Sequence, residues 1–205
     1  MRIGILGSGA VGQALAAGYL RHGHEVRIGT RQTEVGDLPV GPTAQVAADA
    51  DVVLLAVQGA VAVELVSGLT AELDGKVLVD ATNPLDMSAG RPQLYVGTTD
   101  SLGEQVQRAV PGARVVKAYN TVGNALMVDP RLPDGPPTMF IAGNDPAAKE
   151  TVVGLLRETG WDVADLGGIE ASRYLEPMCM AWVAYGARNG TWTHAFRLLR
   201  EEPAR

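Results

Sequence analysis

The feature that most constrains the fold is a glycine-rich stretch between the first apolar strand and the first helix. Residues 7–12 read Gly7-Ser8-Gly9-Ala10-Val11-Gly12, which has the spacing G-x-G-x-x-G. In this context the first glycine permits a tight turn, the second lets the backbone approach a pyrophosphate, and the third lets the helix pack on the strand. Amides at the helix start, helped by the helix dipole, bind phosphates. The motif predicts a dinucleotide-binding unit in which residues 7–12 hold the pyrophosphate.

The rest of the chain alternates apolar strands with amphipathic helices, as in a parallel sheet built from βαβ units. The pattern predicts strands at 2–7, 25–29, 51–57, 76–81, 115–119, 138–142 and 161–164, and helices at 10–22, 43–49, 60–69, 101–110 and 145–158. Segments 86–100 and 128–137 read as loops. One long helix is predicted over 170–199, with a break at Gly186 or at Asn189-Gly190 left open.

These elements predict a Rossmann-type, doubly wound α/β fold with a mainly parallel sheet and a small helical C-terminal extension. The chain has 205 residues and 46% hydrophobic residues, which suffices for one well-filled core or one domain with an appendage. We expect a Rossmann-like domain over residues 1–168. Residues 169–205 would form the extension and pack on the same core.

The end of the second predicted strand concerns the choice of cofactor. An NAD-binding unit usually has Asp or Glu there, which bonds the ribose hydroxyls and repels the extra phosphate of NADP. This chain has Thr30, Arg31 and Gln32 instead. A hydroxyl can donate to that phosphate, and a guanidinium can grip it and stack on the adenine. The segment predicts NADP(H), with a solvated Arg31 as the alternative.

Residues after the other strands are the candidates for the nicotinamide end, because ligands of such folds lie across the carboxyl ends of the strands. Small or polar residues there leave room for the nicotinamide ribose, and the alternative for the polar ones is a turn or cap role. The candidates for the cofactor are Ala56, Val57, Gln58, Ala81, Asn83 and Pro84, and those for the substrate are Asn120 and Thr121.

Few residues in this sequence suit acid–base chemistry. None of the three histidines lies at a strand end near the expected hydride, and with one cysteine they form no metal-ligand pattern. Lys117 and Tyr119 are possible proton donors, predicted to point to the same face of a strand. The alternative for both is a residue at the edge of the core.

Composition limits the partners and the compartment. The net charge of −6 without a cluster of Lys or Arg argues against nucleic acid. The longest apolar run, 178–187, is too short to span a bilayer, and no signal peptide precedes the first strand. A single cysteine, Cys179, is compatible with a reducing cytoplasm, so we expect a cytoplasmic protein.

Segment 174–185 is apolar nearly all round, which is typical of a helix buried on more than one side. We predict a homodimer in which this helix packs on its partner, with Met178, Cys179 and Trp182 near the redox pocket or the seam. The alternative is a helix wrapped by its own chain, including residues 191–199.

The chain resembles the deazaflavin (coenzyme factor 420)-dependent NADP oxidoreductase family, whose fold recurs in membrane metalloreductases. The matching stretches are "IGILGSGAVGQALAAGYLRHGHEVRIGTR", "ADVVLLAV", "LVDATNPLD", "PGARVVKAYNTVG" and "YLEPMCMAWVAYG". The resemblance implies NADP(H) bound by Thr30 and Arg31. It also implies a planar redox partner stacked on the nicotinamide, and we expect this partner to be a deazaflavin or a flavin. Met178 on the apolar C-terminal segment is a further candidate for contact with this substrate. In members of the family that use a deazaflavin, hydride passes directly between ring carbons and no side-chain acid is required. The family's second basic residue after Arg31 is missing, and Gln58 replaces the usual proline.

Two other functions remain open from the sequence. One is an NADPH-dependent reductase of a small carbonyl or imine, with Lys117 or Tyr119 supplying the proton. The other is a nucleotide-binding sensor without turnover, which the small number of candidate catalytic residues permits. Turnover of NADPH with a small-molecule redox acceptor separates the sensor from the two enzymes.

Overall fold

The computed structural model describes residues 1–201 and contains one large sheet flanked by helices. Within this range there are ten strands: β1 Arg2–Leu6, β2 Glu25–Gly29, β3 Val40–Gly41, β4 Val52–Leu55, β5 Val77–Asp80, β6 Leu85–Asp86, β7 Gln93–Leu94, β8 Arg114–Lys117, β9 Thr138–Gly143 and β10 Asp162–Asp165. The α-helices in the same range are α1 Ala10–Arg21, α2 Thr43–Asp49, α3 Gly59–Ser67, α4 Thr70–Leu73, α5 Leu102–Ala109, α6 Pro146–Glu158 and α7 Ser172–Asn189.

The order of the strands is that of a Rossmann fold. The eight-stranded sheet runs β10-β9-β8-β5-β4-β1-β2-β3, and the six strands from β8 to β3 are parallel. Strand β9 is antiparallel to β8, and β10 is parallel to β9. The order reverses between β1 and β4, which is where ligands bind in such sheets. The predicted doubly wound, mainly parallel fold is confirmed.

The sheet has an apolar core on each face. Side chains of β1, β4, β5 and β8 alternate between the two cores: Ile3 and Ile5 belong to one, and Leu6 belongs to the other. The first core includes side chains of α1 and α6, and the second includes side chains of α2, α3 and α5. This alternation buries both faces of the strands and explains why they read as continuous apolar runs.

The bounds of α2 and the start of α6 agree with the prediction from the sequence. Helix α2 has the predicted bounds, and α6 begins at Pro146 with Asp145 as its N-cap. The Asp145 carboxylate accepts a hydrogen bond of 2.7 Å from the amide of Ala148. Such a cap satisfies a donor that the helix leaves unpaired, and proline is favoured at the first helical position.

The prediction for the C-terminal region was wrong in one respect. Helix α7 ends at Asn189, and Gly190 adopts a left-handed conformation with φ of 64° that stops it. Residues 191–200 run back without helix, and the amide of Thr138 donates to the carbonyl of Phe196 over 2.9 Å. Of the two proposed breaks, the one at Asn189-Gly190 is where the chain turns. Residues 202–205 of the predicted extension lie outside the described residues.

The returning tail covers the side of α7 that we expected at a dimer seam. The Trp182 indole stacks on the ring of His194 with centroids 4.7 Å apart, and its Nε1 donates to the His194 carbonyl over 2.8 Å. Cys179 is buried in the same chain. The exposed face of α7 carries Tyr174 and Tyr185 instead. The homodimer itself stays a prediction. Within residues 1–201 no helix is both long and apolar enough to cross a membrane.

Candidate dinucleotide-binding site

The ends of four neighbouring strands bring the glycine-rich turn and the small strand-end residues to one edge of the sheet. Leu6 pairs with Gly29 on one side and with Leu55 on the other, and Leu55 pairs with Asp80. The segments that follow β1, β2, β4 and β5 therefore leave the sheet at the same level. This shared edge is the floor of a groove with two adjoining cavities.

The three glycines of the motif have the geometry that a phosphate-binding turn requires. Gly7 has φ of 123°, and a Cβ there would collide with the carbonyl of Ala56. A Cβ on Gly12 would collide with the carbonyl of Gly7, so only glycine lets α1 pack this closely. At Gly9 a Cβ would meet nothing within 4 Å, which leaves open space in front of the start of α1. The turn fits a pyrophosphate.

The first cavity lies beside the glycine-rich turn and has a volume of about 1210 Å³. Predicted cofactor residues that line it are Gly7, Ser8, Gly9, Ala10, Val11, Thr30, Arg31, Ala56, Val57 and Gln58. Its other residues were not predicted: Gly29, Thr43, Ala44, Val61, Glu64, Leu65, Gly68 and Leu69. The size and the apolar wall from α3 suit an adenine ring.

A pair of hydroxyl groups stands at the end of β2, where many dinucleotide sites have a carboxylate. The hydroxyl of Thr30 donates to the Oγ of Ser8 over 3.1 Å, and the amide of Gln32 donates to Thr30 Oγ1 over 3.2 Å. The exposed Arg31 follows in the same wall. Because this corner combines hydroxyls with a guanidinium, it fits the extra phosphate of NADP better than a ribose diol alone.

The second cavity adjoins the first and has a volume of about 680 Å³. Val11, Ala56, Val57 and Gln58 line both cavities, so the groove is continuous past the end of β4. Ala81 and Asn83 line the second cavity as predicted. Its outer wall was not predicted and comes from the hairpin of β6 and β7: Leu85, Asp86, Met87 and Tyr95.

Two asparagines connect the second cavity to the C-terminal helix. The side-chain amide of Asn83 donates to the carbonyl of Asn120 over 2.8 Å. Asn120 Nδ2 donates to Asn83 Oδ1 over 3.1 Å and to the carbonyl of Leu175 in α7 over 2.8 Å. Asn83 therefore faces the cavity, while the buried Asn120 holds it from behind.

Lys117 lies in a buried cluster of charges. Its Nζ is 2.9 Å from Asp80 Oδ2 and 3.0 Å from Glu176 Oε1, and all three side chains are at most 1% exposed. Burial alone would lower the pKa of Lys117, but the charges and hydrogen bonds of Asp80 and Glu176 raise it above its ordinary value. An ammonium held in this way retains its proton, so the surroundings favour a structural role.

The two carboxylates of this cluster also bind backbone groups near the site. Glu176 accepts hydrogen bonds from the amides of Leu102 and Gly103 at the start of α5, at 3.0 and 2.9 Å. Asp80 accepts from the amide and the hydroxyl of Thr82, at 2.9 and 2.6 Å. The cluster thus ties β5, β8, α5 and α7 together directly behind the second cavity.

Tyr119 lies on the opposite face of the sheet from Lys117, so the prediction that both share a face was wrong. Tyr119 has φ of 63°, and this left-handed backbone after the end of β8 breaks the alternation of side chains. Its hydroxyl lies 2.5 Å from that of Tyr19 in α1. Burial raises the pKa of Tyr119 to about 12. It lines neither cavity.

The remaining predicted residues lie outside the walls of both cavities. Gly12 packs α1 on β1, Gln32 bonds Thr30, and the carbonyl of the buried Pro84 accepts from the amide of Tyr95 over 3.0 Å. Thr121 is buried and Met178 is partly buried on α7. These residues support the site or lie near it, and their contact with a ligand stays a prediction.

Part of the missed wall had a signal in the sequence. Helix α3 carries Val61 and Leu65 beside its buried Ala62 and Val66, so it has more apolar surface than one core face needs. Such an excess indicates a ligand or partner. The hairpin had no comparable signal, because strands of two residues show no periodicity.

Comparisons with known proteins show the family of the chain. The family model described as "NADP oxidoreductase coenzyme F420-dependent" matches residues 2–84, which carry the glycine-rich turn and the ends of β1 to β5. A solved structure of a candidate F420-dependent NADP reductase from Arthrobacter sp. FB24 is 40% identical. It superposes with a TM-score of 0.91 and covers 98% of this chain and 100% of its own.

Two curated relatives extend the comparison. The F420-dependent NADP reductase of Methanothermobacter marburgensis is 28% identical over 92% of this chain and 94% of the relative. Metalloreductase STEAP3 of Rattus norvegicus is 30% identical over 85% of this chain, and the match spans only 36% of that protein. The fold, the site and these relatives define an NADP-dependent oxidoreductase of the Rossmann class. The chain belongs to the coenzyme F420-dependent NADP oxidoreductase family.

Proposed function

We propose that the protein transfers hydride between NADP(H) and a deazaflavin or flavin that lies in the second cavity. The observation that carries this proposal is the continuous groove, in which Val11, Ala56, Val57 and Gln58 line both cavities. A nucleotide with its pyrophosphate at residues 7–12 would direct its nicotinamide along this shared wall. The second cavity is then the space next to the reacting ring.

The corner formed by Thr30, Ser8 and Arg31 supports NADP(H) as the nucleotide. The Thr30 hydroxyl donates its proton to Ser8, which leaves the Ser8 proton available for a ligand. Arg31 adds the positive charge that a phosphate dianion needs, and it offers the planar fork that matches phosphate oxygens. The chain thus has a hydroxyl pair and one cation where the carboxylate of an NAD site would stand.

The placement of the candidate proton donors supports direct transfer. Lys117 is enclosed by two carboxylates, and Tyr119 faces α1 on the other side of the sheet. The residues that line the two cavities within 1–201 include no histidine, lysine or cysteine. Hydride transfer from the nicotinamide carbon to the ring carbon of a deazaflavin, or to the ring nitrogen of a flavin, needs no protein acid in the transfer step, so these walls need only bind and align the two rings.

The test is turnover of NADPH with a deazaflavin and, separately, with FMN, followed at the absorbance band of reduced nicotinamide. We expect oxidation of NADPH with at least one of the two acceptors. Tyr119→Phe should change the turnover rate by less than tenfold, because a general acid contributes about 10²–10⁴-fold. Turnover of a small carbonyl or imine that is lost in Tyr119→Phe would support the reductase alternative.

A measurement of NADPH binding distinguishes a protein that binds NADPH without turnover from one that does not bind it. NADPH binding is measured by nicotinamide fluorescence in the absence of any acceptor, with Thr30→Asp as a matched variant that adds repulsion at the phosphate corner. Tight binding in the wild type, loss in Thr30→Asp and no turnover with any acceptor would support the sensor alternative. It would contradict the proposed transfer.

A further inference from the structure

The outer wall of the second cavity comes from one short hairpin. Residues of the glycine-rich turn and of the strand ends form the side of this cavity where the nucleotide would lie. The hairpin supplies Leu85, Asp86, Met87 and Tyr95 to the other side, where an acceptor would lie. They lie in or next to β6 and β7, which pair only with each other and stand apart from the main sheet.

The hairpin has a fixed shape. Leu85 pairs with Leu94 and Asp86 pairs with Gln93. The amide of Tyr95 donates to the carbonyl of Pro84 over 3.0 Å, and the amide of Leu85 donates to the carbonyl of Asn83 over 2.9 Å. The wall is therefore tied to the segment that follows β5 and holds its side chains beside the cavity.

Two large side chains of this hairpin are exposed while they line a cavity. Met87 is 62% exposed and Tyr95 is 45% exposed. They follow opposite strands of the hairpin, so they approach the cavity from two positions. Tyrosine and methionine both make favourable contacts with the faces of flat rings. Exposed apolar side chains at a cavity wall indicate a ligand that covers them.

The charge of the residues that line the second cavity limits which ligands can bind there. The cavity is lined by no lysine, arginine or histidine of residues 1–201, and its one charged side chain is Asp86. The amide and hydroxyl of Ser88 and the side chain of Gln93 donate to this carboxylate, and these bonds hold the pKa of Asp86 below its ordinary value. A phosphate placed here would meet a negative charge and no cation.

We propose that Met87 and Tyr95 form an acceptor clamp that covers a flat, uncharged ring against the nicotinamide, with Asp86 keeping phosphate groups out of the cavity. The clamp rests on the proposed function for the position of the nicotinamide. Under this proposal, three residues after the end of β5 determine which acceptor binds. The acceptors that fit are planar rings whose charged substituents stay outside the cavity.

The experiment measures binding as well as turnover. Riboflavin and FMN differ only in a phosphate, and each is titrated by flavin fluorescence into protein saturated with NADP⁺, which gives a Kd without any reaction. Met87→Ala and Tyr95→Ala should each raise the riboflavin Kd by about tenfold, which corresponds to about 1.4 kcal/mol. Tyr95→Phe keeps the ring and should recover most of the affinity that Tyr95→Ala loses.

The control variants test location and charge. Leu166→Ala removes a side chain that is 42% exposed next to the edge strand β10, and it should leave the riboflavin Kd unchanged. All variants should bind NADP⁺ within twofold of the wild type. Asp86→Asn should strengthen the binding of FMN relative to that of riboflavin, because it removes the charge that opposes the phosphate.

The outcomes separate the clamp from the proposed function. Unchanged riboflavin Kd values in Met87→Ala and Tyr95→Ala, or FMN binding tighter than riboflavin in the wild type, would overturn the clamp even if NADPH is turned over. Riboflavin binding that depends on both residues, without turnover of any acceptor, would retain the clamp and contradict hydride transfer. A loss of turnover rate in Tyr95→Phe by more than a hundredfold at unchanged Kd would make Tyr95 a proton donor instead.

Discussion

Replacing Lys117 with methionine removes one positive charge from the buried cluster and nearly preserves the volume of the side chain. Asp80 and Glu176 then remain, at most 1% exposed and without their cation. Removing one partner of a buried ion pair costs about 3–5 kcal/mol, because the charge left behind is neither paired nor solvated. The free energy of unfolding of an ordinary domain is about 5–15 kcal/mol. If this protein lies at the lower end of that range, Lys117→Met should be only marginally folded.

Urea denaturation followed by far-ultraviolet circular dichroism measures this loss, and thermal unfolding gives a second value. For a chain of this size each kcal/mol shifts the melting temperature by about 2–4 °C, so we expect a decrease of about 6–20 °C. The matched control is Lys149→Met. Its Nζ lies 2.8 Å from Asp165 in a pair whose aspartate is 46% exposed, and such pairs contribute at most about 1 kcal/mol.

The contribution of Lys117 to the stability of the fold also depends on pH. Because folding raises the pKa of Lys117 above its ordinary 10.5, its contribution to stability is complete below that value and is lost only as the pH rises through the raised pKa. The wild type therefore keeps this contribution throughout pH 5–9. A loss of stability below about 1 kcal/mol in Lys117→Met would refute this reasoning.

Two further predictions concern the nucleotide. Arg31→Ala should weaken NADPH binding about ten- to a hundredfold and leave NADH nearly unchanged, since a bond to a charged group is worth about 1.5–3 kcal/mol; equal losses in fluorescence titrations with both nucleotides would show that Arg31 does not bind the phosphate. Gly12→Ala should destabilise the fold, because its Cβ would collide with the Gly7 carbonyl. Gly9→Ala should keep the melting temperature within about 2 °C, because its Cβ enters open space. It should nevertheless weaken nucleotide binding, since that space is where the pyrophosphate would lie. Similar melting temperatures for these two variants would contradict the assignment of the three glycines.

Much of the site could be predicted from the sequence because its determinants are local. The turn at residues 7–12 depends on glycines at fixed spacing between a strand and a helix, and the structure gives them the expected turn and packing geometry. The corner at Thr30 and Arg31 depends on what directly follows a strand. Small residues after β4 and β5 line the groove, since parallel strands bring their carboxyl ends to one edge.

The parts that the sequence did not reveal depend on contacts between distant segments. The role of Lys117 follows from Asp80 and Glu176, which belong to another strand and to the C-terminal helix, and no local pattern connects the three. The side chain of Tyr119 lies on the opposite face of the sheet from the one predicted, because its backbone is left-handed. The alternation of side chains along a regular strand does not predict such a residue.

The sequence alone therefore determined the fold class, the geometry of the glycine-rich turn and the residue types at the corner of Thr30 and Arg31, because spacing and residue type within short segments define them. The tertiary structure decided which side chains are buried and charged together and where α7 turns back on its own core. It also decided which side chains of the β6–β7 hairpin face the open cavity. These features arise from packing between segments far apart in the chain, and such packing leaves no periodic pattern in the sequence.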